Sequence, residues 1–306
     1  MAQTQSDTAA TEDDHLALRF YDVTSADGTR LQAWTNDAEG PTLLLCNGLG
    51  TSPYAWPALL RKDCGVRVIS WNHRGVGGSD RPADHRRVGV DAFVEDALAV
   101  LDHAGIDACV VAGWSIGVNT AFELAALHGH RVRGLFAVAG VPGGTFSSMG
   151  APLLIPRPAR KPIALGVTGA LRRAGKAITP VTSRLPIGPG FATLITHSGF
   201  MLPGPHPDHV RRAVKEFLQT PVDWYMHLAR AAAAHPRVSL RSIDVPATLV
   251  AGRYDLLASA RDMATAAERL PDAEYVLLTG SHFLQLEHPH EVHRHLLALL
   301  HRVDGS

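Results

Sequence analysis

Short apolar runs alternate with longer stretches of helical periodicity along most of the chain. Six runs have the length and composition of buried strands; they span residues 42–47, 66–71, 109–114, 134–140, 247–252 and 274–280. Apolar positions recur every three or four residues, as in an amphipathic helix, in 90–105, 119–129, 258–270 and 290–302. Near-continuous apolar strands alternating with helices are typical of a parallel sheet covered on both faces. The pattern therefore predicts an α/β fold with a mostly parallel, doubly wound sheet.

The amino-terminal part has a different pattern. The runs 16–23 and 30–35 flank a polar stretch that contains Asp27 and Gly28. A short Asp-Gly turn between two strand-like runs is a strong hairpin signal. We expect the sheet to begin with an antiparallel hairpin.

Composition and charge narrow the function classes. The chain has 306 residues, of which 46% are hydrophobic and 19% charged, so it can bury a large core and is too apolar to be disordered. Its formal net charge is zero, which gives no reason to expect nucleic acid as a partner. The first fourteen residues lack the apolar centre of a signal peptide, and no run is long enough to span a bilayer. Three cysteines at ordinary spacing favour reduced core thiols. We expect a cytoplasmic protein with no transmembrane segment.

A serine between two glycines carries the first chemical signal. Gly113-Trp114-Ser115-Ile116-Gly117 stands between a predicted strand and a predicted helix, which is the context of a G-x-S-x-G nucleophile elbow. In so tight a turn, Cβ atoms at positions 113 and 117 would collide with neighbouring backbone. Ser115 would then be held with its Oγ exposed at the carboxyl edge of the sheet. The alternative is a Gly/Ser turn without chemistry.

A serine nucleophile needs a base and an acid that orients the base. Asp255 follows the strand-like run 247–252, and His282 follows 274–280, so both are predicted at the same sheet edge as Ser115. His282 would carry the proton, and Asp255 would fix its tautomer. Taken singly, Asp255 is also compatible with a turn residue and His282 with a loop histidine. Asp223 is the next candidate for the acid.

The developing oxyanion needs backbone donors. One candidate is the N–H of Ile116, directly after the nucleophile; the other is the N–H of Leu49, in the loop after the strand at 42–47. Gly48 and Gly50 would let this loop approach closely. The loop alone is also compatible with a plain glycine turn.

These segments resemble the α/β-hydrolase superfamily, of the small esterase, lipase and carbon-carbon hydrolase type. The matching segments are "NGLG", "WNHRGVGGSDRP", "GWSIG", "AGRYD" and "GSHFLQLEHP". Asn47 stands where the family usually has histidine, and Asn72 where it often has aspartate, while Arg74 is expected to tie loops together. Related haloalkane dehalogenases and epoxide hydrolases carry aspartate at the nucleophile position, so Ser115 argues against both activities.

The resemblance also implies a cap inserted in the hydrolase core. Residues 141–207 hold eleven of the twenty prolines, seven Arg or Lys and no Asp or Glu. Their proline density predicts a cap of short helices and loops. We expect a disordered tail at 1–14, core at 15–140, a mainly helical, proline-rich cap at 141–236, and core at 237–306. Apolar cap residues are candidates for the substrate pocket: Leu153, Leu154, Ile155, Phe191, Leu194, Phe200 and Met201.

The sequence thus predicts a serine hydrolase that needs no cofactor. It would cleave a carboxylic ester with an apolar acyl or alcohol part through an acyl-enzyme. The basic cap is compatible with an anionic substrate, an acidic carrier protein or a lipid surface, and equally with arginines that lie over the cap helices and pair with acids of the main domain. A carbon-carbon or thioester hydrolase with the same triad, and a non-catalytic receptor, remain alternatives because a fold does not fix its chemistry. The histidines at 290 and 293 lack an obvious third ligand, so no metal site is predicted. The oligomeric state stays open.

Overall fold

The computed structural model describes residues 18–305, and the predicted tail at 1–14 lies outside this range. Eight strands form one sheet: β1 (Arg19–Thr24), β2 (Arg30–Thr35), β3 (Thr42–Cys46), β4 (Arg67–Trp71), β5 (Cys109–Trp114), β6 (Val132–Val138), β7 (Ala247–Gly252) and β8 (Ala273–Leu278). Their order is β1-β2-β4-β3-β5-β6-β7-β8. β1 and β2 are antiparallel to their neighbours, and the other six strands are parallel to one another. The hairpin and the six following strands were predicted from the sequence, but β8, at the sheet edge, is only partly buried.

Ten α-helices accompany the sheet in the described residues. They are α1 (Val90–His103), α2 (Ile116–Leu127), α3 (Thr145–Ser148), α4 (Arg157–Thr182), α5 (Pro189–Thr196), α6 (Pro207–Phe217), α7 (Val222–Ala233), α8 (Ala260–Ala267), α9 (Leu284–Glu287) and α10 (Pro289–Asp304). Short 3₁₀ turns span Pro53–Ala55, Pro57–Leu60 and Gly129–Arg131. No helix within residues 18–305 is long and apolar enough to cross a membrane.

The sheet is buried on both faces because its side chains alternate between two cores. Leu44 of β3 belongs to one core, with Phe93 of α1 and Phe122 of α2. Its neighbours Leu43 and Leu45 belong to the other core, which α10 covers. This is the arrangement that near-continuous apolar strands require. The fold is therefore the predicted α/β fold with a mostly parallel, doubly wound sheet.

The segment between β6 and β7 forms α3 to α7, and α4 contradicts the expectation of short helices. α4 is 26 residues long. Pro158 and Pro162 fall in its first two turns and Pro180 in its last turn, whereas residues 163–179 contain no proline. This position costs little for Pro158, because the first N–H groups of a helix have no partner within it, whereas Pro162 and Pro180 lie inside the helix near its two ends. The prediction of short helices was wrong here because it counted prolines without their positions.

Candidate active site

Ser115 occupies a strained turn between β5 and α2. Its φ of 56° lies in the left-handed region that non-glycine residues rarely adopt. A Cβ atom added at Gly117 would lie 1.8 Å from the carbonyl oxygen of Cys46, and one at Gly113 would lie 2.7 Å from the Cα of Val118. Both positions therefore require glycine, for the steric reason expected from the sequence. The turn places Ser115 at the carboxyl edge of the sheet, directly before α2.

Three side chains from three different strand ends form one hydrogen-bonded row. His282 Nε2 is 2.8 Å from Ser115 Oγ, and His282 Nδ1 is 3.0 Å and 2.9 Å from the two carboxylate oxygens of Asp255. Asp255 and His282 are buried. Asp255 Oδ1 also accepts hydrogen bonds from the N–H groups of Leu257 and Ala258. The carboxylate is thus fixed in place, and it can hold the imidazole with a proton on Nδ1 and a free lone pair toward Ser115.

Trp114 supports His282 in a way that sequence reasoning missed. Its Nε1–H donates to the carbonyl oxygen of His282 at 2.9 Å, and its ring lies beside the imidazole with centroids 5.8 Å apart. Phe283 contacts the imidazole edge-on from another side, at 5.7 Å. Trp114, directly before Ser115, therefore fixes the backbone of His282. The sequence showed only an aromatic residue inside the serine motif.

Glu287 is a second residue that the sequence analysis left without a role. Its buried carboxylate accepts hydrogen bonds from the N–H and hydroxyl of Ser281, at 2.7 Å and 2.6 Å. It also accepts from the N–H of Leu202 at 2.7 Å. Hydrogen bonds to a carboxylate are among the stronger ones in proteins. Glu287 thereby links the residue before His282 to the segment between β6 and β7.

The loop after β3 lies against Trp114, since a Cβ added at Gly48 would lie 2.7 Å from the Trp114 ring. Asn47, which stands where the family usually has histidine, donates from Nδ2 to the carbonyl oxygen of Ser52 and accepts from Trp56 Nε1–H at 3.0 Å. The Asn47 side chain thus holds this loop through both its NH₂ group and its oxygen. In the part of the chain that the structure describes, the N–H groups of Leu49 and Ile116 have no acceptor. Both donors remain available for a ligand.

Arg74 ties together loops beneath the site, as expected. Its fully buried guanidinium pairs with Asp96 at 2.7 Å and with Asp27, and its carbonyl oxygen accepts from Trp224 Nε1–H. Burial opposes the ionisation of Asp27, but hydrogen bonds from Thr29 and Arg74 outweigh it and lower the pKa of Asp27 to about 2. A buried charge of this kind persists only with such partners. The network joins the β1–β2 hairpin, α1 and α7.

The remaining candidates do not meet at one place. Asp223 packs with its backbone against Gly175 of α4, whereas Asp255 holds the histidine. Met201 is buried, and the ring of Phe200 packs on Phe283 with centroids 5.1 Å apart. Leu153, Leu154 and Leu194 are exposed by 63%, 88% and 66%. Among residues 18–305, no group of three or more His, Cys, Asp or Glu side chains is placed to hold a metal ion.

Comparison with known proteins agrees with this architecture. A sequence model of the alpha/beta hydrolase fold matches residues 41–161. Epoxide hydrolase A of Mycobacterium tuberculosis is 25% identical over 91% of this chain and 96% of its own, and 3-oxoadipate enol-lactonase 2 of Acinetobacter baylyi is 24% identical over 93% and 98%. A thermophilic esterase from Thermogutta terrifontis superposes with a TM-score of 0.71 at 20% identity, covering 93% of this chain and 99% of the other.

The chain has the α/β-hydrolase fold. This fold was expected from the sequence motifs, and the relatives support a hydrolase of this fold. The superfamily contains relatives with different chemistries, as the epoxide hydrolase and the enol-lactonase illustrate. The bond that this hydrolase cleaves must therefore be argued from its own site.

Proposed function

We propose that this α/β hydrolase is a serine hydrolase that cleaves a carboxylic ester through an acyl-enzyme on Ser115. The observation that carries the proposal is the row Ser115–His282–Asp255, with hydrogen-bond distances of 2.8 to 3.0 Å. Such a row activates a serine hydroxyl, which is otherwise a weak nucleophile at neutral pH.

The reaction follows from the positions of these groups. His282 Nε2 takes the proton as Ser115 Oγ attacks the ester carbonyl, and Asp255 stabilises the imidazolium. The N–H groups of Leu49 and Ile116 hydrogen-bond the oxyanion of the tetrahedral intermediate. When the intermediate collapses, the bond to the alcohol oxygen breaks and His282 protonates that oxygen. A water molecule, deprotonated by His282, then attacks the acyl-enzyme, releases the acid and restores Ser115.

The identity of residue 115 separates ester cleavage from epoxide opening, although epoxide hydrolases are among the relatives. A serine that opened an epoxide would form an ether, and an ether has no carbonyl for water to attack. An acyl-serine keeps that carbonyl, so His282 can complete the cycle. The chemistry of Ser115 therefore favours an acyl substrate over an epoxide.

The surroundings of His282 favour a substrate with an apolar part. Trp114 and Phe283 contact the imidazole, and Phe200 extends this aromatic group from the segment between β6 and β7. We assign residues 141–236 as the cap that shapes the substrate pocket. Aromatic walls of this kind bind acyl chains or aromatic rings by burying apolar area.

A covalent probe and an ester panel test the proposal together. A fluorophosphonate should label Ser115 alone, as read by peptide mapping, and Ser115→Ala should abolish both labelling and turnover of p-nitrophenyl esters. Ser242→Ala, which changes an exposed serine outside the proposed cap, should leave both unchanged. Labelling at a different serine would reject the nucleophile. Binding of the esters without turnover would support a receptor, and faster turnover of matched thioesters would shift the assignment to thioester hydrolysis.

A further inference from the structure

α4 uses one side of its 26-residue length to pack against α7. Gly175 is buried in this contact, where an added Cβ would lie 2.4 Å from the backbone nitrogen of Asp223. Thr179 Oγ1 accepts from the N–H of Val222 at 2.9 Å, and Arg230 of α7 donates to the carbonyl oxygen of Leu165 at 2.7 Å. The inner side of the helix therefore has its partner.

A second line of apolar residues runs along the same helix and packs against no other part of the protein that the structure describes. We call it the outer stripe; it consists of Ile163, Val167, Ala170, Ala174, Ala177 and Val181, and all six are exposed. Their spacing of three and four residues places them on one side of a helix. Ile163, Val167 and Val181 are exposed by 50%, 54% and 63%. Branched apolar side chains left in water along several turns are typical of a contact surface.

Basic side chains lie beside the outer stripe. Arg173 is three residues after Ala170 and four before Ala177, so it is a direct neighbour of the stripe. Arg184 is exposed just beyond the end of the helix, three residues after Val181, and Lys176 is exposed on the flank of the helix, three residues after Arg173. Within residues 18–305, none of these three cations forms an ion pair, unlike Arg157, which pairs with Asp262. The body of the protein therefore leaves these charges for another partner.

The charge pattern selects among possible occupants. A second copy of α4 would bring two basic rows together, and residues 141–207 contain no acid to compensate. The acidic residues at 7 and 12–14 of the same chain are another possible partner for α4, and they precede β1. β1 starts beside Thr35 and Asp37, at one edge of the sheet, whereas the segment leading to α4 leaves the sheet at the opposite edge. A helix with adjoining apolar and basic rows suits a bilayer surface with anionic headgroups.

We propose that the outer side of α4 docks this protein on an anionic membrane surface, with the outer stripe against the acyl boundary and Arg173, Lys176 and Arg184 on the headgroups. This contact does not depend on the proposed ester chemistry, since none of these residues belongs to the catalytic row. It would bring the hydrolase to a surface where apolar substrates concentrate.

Vesicle co-sedimentation of the full chain tests the proposal. Partitioning onto vesicles of 30% phosphatidylglycerol in phosphatidylcholine should exceed that onto pure phosphatidylcholine by at least tenfold at low salt, and salt should weaken it by screening. The variant Arg173→Gln, Lys176→Gln, Arg184→Gln should lose this preference. The variant Ile163→Thr, Val167→Thr, Val181→Thr should lose at least fivefold, because it removes apolar area at nearly constant shape.

Matched controls carry the same exchanges on the main body. They are Arg86→Gln, Arg133→Gln, Arg294→Gln for charge, and Leu127→Thr, Leu277→Thr for exposed apolar side chains. Both control variants should bind as the wild type does. Circular dichroism melting and turnover of a small water-soluble ester should be unchanged in every variant, which separates loss of docking from loss of the fold or of the proposed activity.

Four outcomes would overturn the proposal. The first is equal binding to neutral and anionic vesicles, or no binding. The second is that the glutamine variant loses binding both to vesicles and to poly-L-glutamate, while the threonine variant binds vesicles as the wild type does. That result would assign the surface to an acidic protein. The third is a dimer in sedimentation velocity that the threonine variant abolishes. The fourth is vesicle binding that appears only after Asp7, Glu12, Asp13 and Asp14 are neutralised.

Discussion

In the proposed mechanism, Ser115, His282 and Asp255 have unequal tasks, and single substitutions should reveal this. His282→Ala should lower kcat for a p-nitrophenyl ester by about 10³ to 10⁶, because His282 moves the proton in both half-reactions. Asp255→Asn should lower it by about 10³ to 10⁴, because an amide favours the wrong imidazole tautomer. Asp223→Asn is the control, and it should retain wild-type kcat. Normal turnover by Asp255→Asn, with loss in Asp223→Asn, would show that the acid is misassigned.

At the scale of single residues, the candidate site could be predicted because its three residues each come directly after a predicted strand. Ser115, Asp255 and His282 each follow a strand, and the carboxyl ends of parallel strands share one edge. Trp114 and Glu287 were missed because each has a backbone partner far along the chain, the carbonyl oxygen of His282 for Trp114 and the N–H of Leu202 for Glu287. Any residue type offers those groups, so no sequence pattern marks such contacts.

At the scale of elements, two glycines of α4 should respond oppositely to the same substitution. Gly166→Ala should raise the free energy of unfolding by about 1 kcal/mol, because nothing lies within 4 Å of the added Cβ and alanine favours the helix. Gly175→Ala should lower it by about 1 to 3 kcal/mol, because its Cβ would meet the backbone of Asp223 at 2.4 Å. Urea unfolding measures both. Equal shifts of one sign would contradict the observed packing of α4 on α7.

α4 shows why the strands of the sheet could be predicted from the sequence, whereas the helix lengths between β6 and β7 could not. The six parallel strands have a continuous apolar pattern that does not depend on their neighbours. α4 instead combines many prolines with a weakly apolar sequence, and its inner side is defined by a glycine that fits against α7. A glycine that permits close packing and a glycine that breaks a helix look the same in a sequence. Only the contact distinguishes them.

At the scale of the whole molecule, stability rests on loops that join the sheet to several helices. The loop after β4 supplies both Arg74, buried between Asp27 and Asp96, and His73, buried against the ring of Phe93 with centroids 4.8 Å apart. Asp27 has a pKa of about 2, below its ordinary value, so its contribution to stability is complete above pH 4 and is lost as the pH falls toward 2. A change of stability at milder pH must come from another group.

His73 is one such group, because burial lowers its pKa from 6.5 to about 4. His293 is another, because burial also lowers the pKa of its imidazole. Below pH 6.5 the unfolded chain binds a proton at His73 that the folded chain does not, so the free energy of unfolding falls as the pH is lowered from 6.5 toward 4. At pH 5 the loss from His73 is about 2 kcal/mol. His73→Phe keeps a planar ring beside Phe93 and should remove this part of the pH dependence. Urea midpoints at pH 7.5 and 5 should therefore differ less in His73→Phe than in the wild type, whereas His301→Phe, the same exchange at an exposed position, should follow the wild-type profile. Parallel profiles for His73→Phe and the wild type would show that His73 accepts its proton in the folded protein as easily as in the unfolded chain.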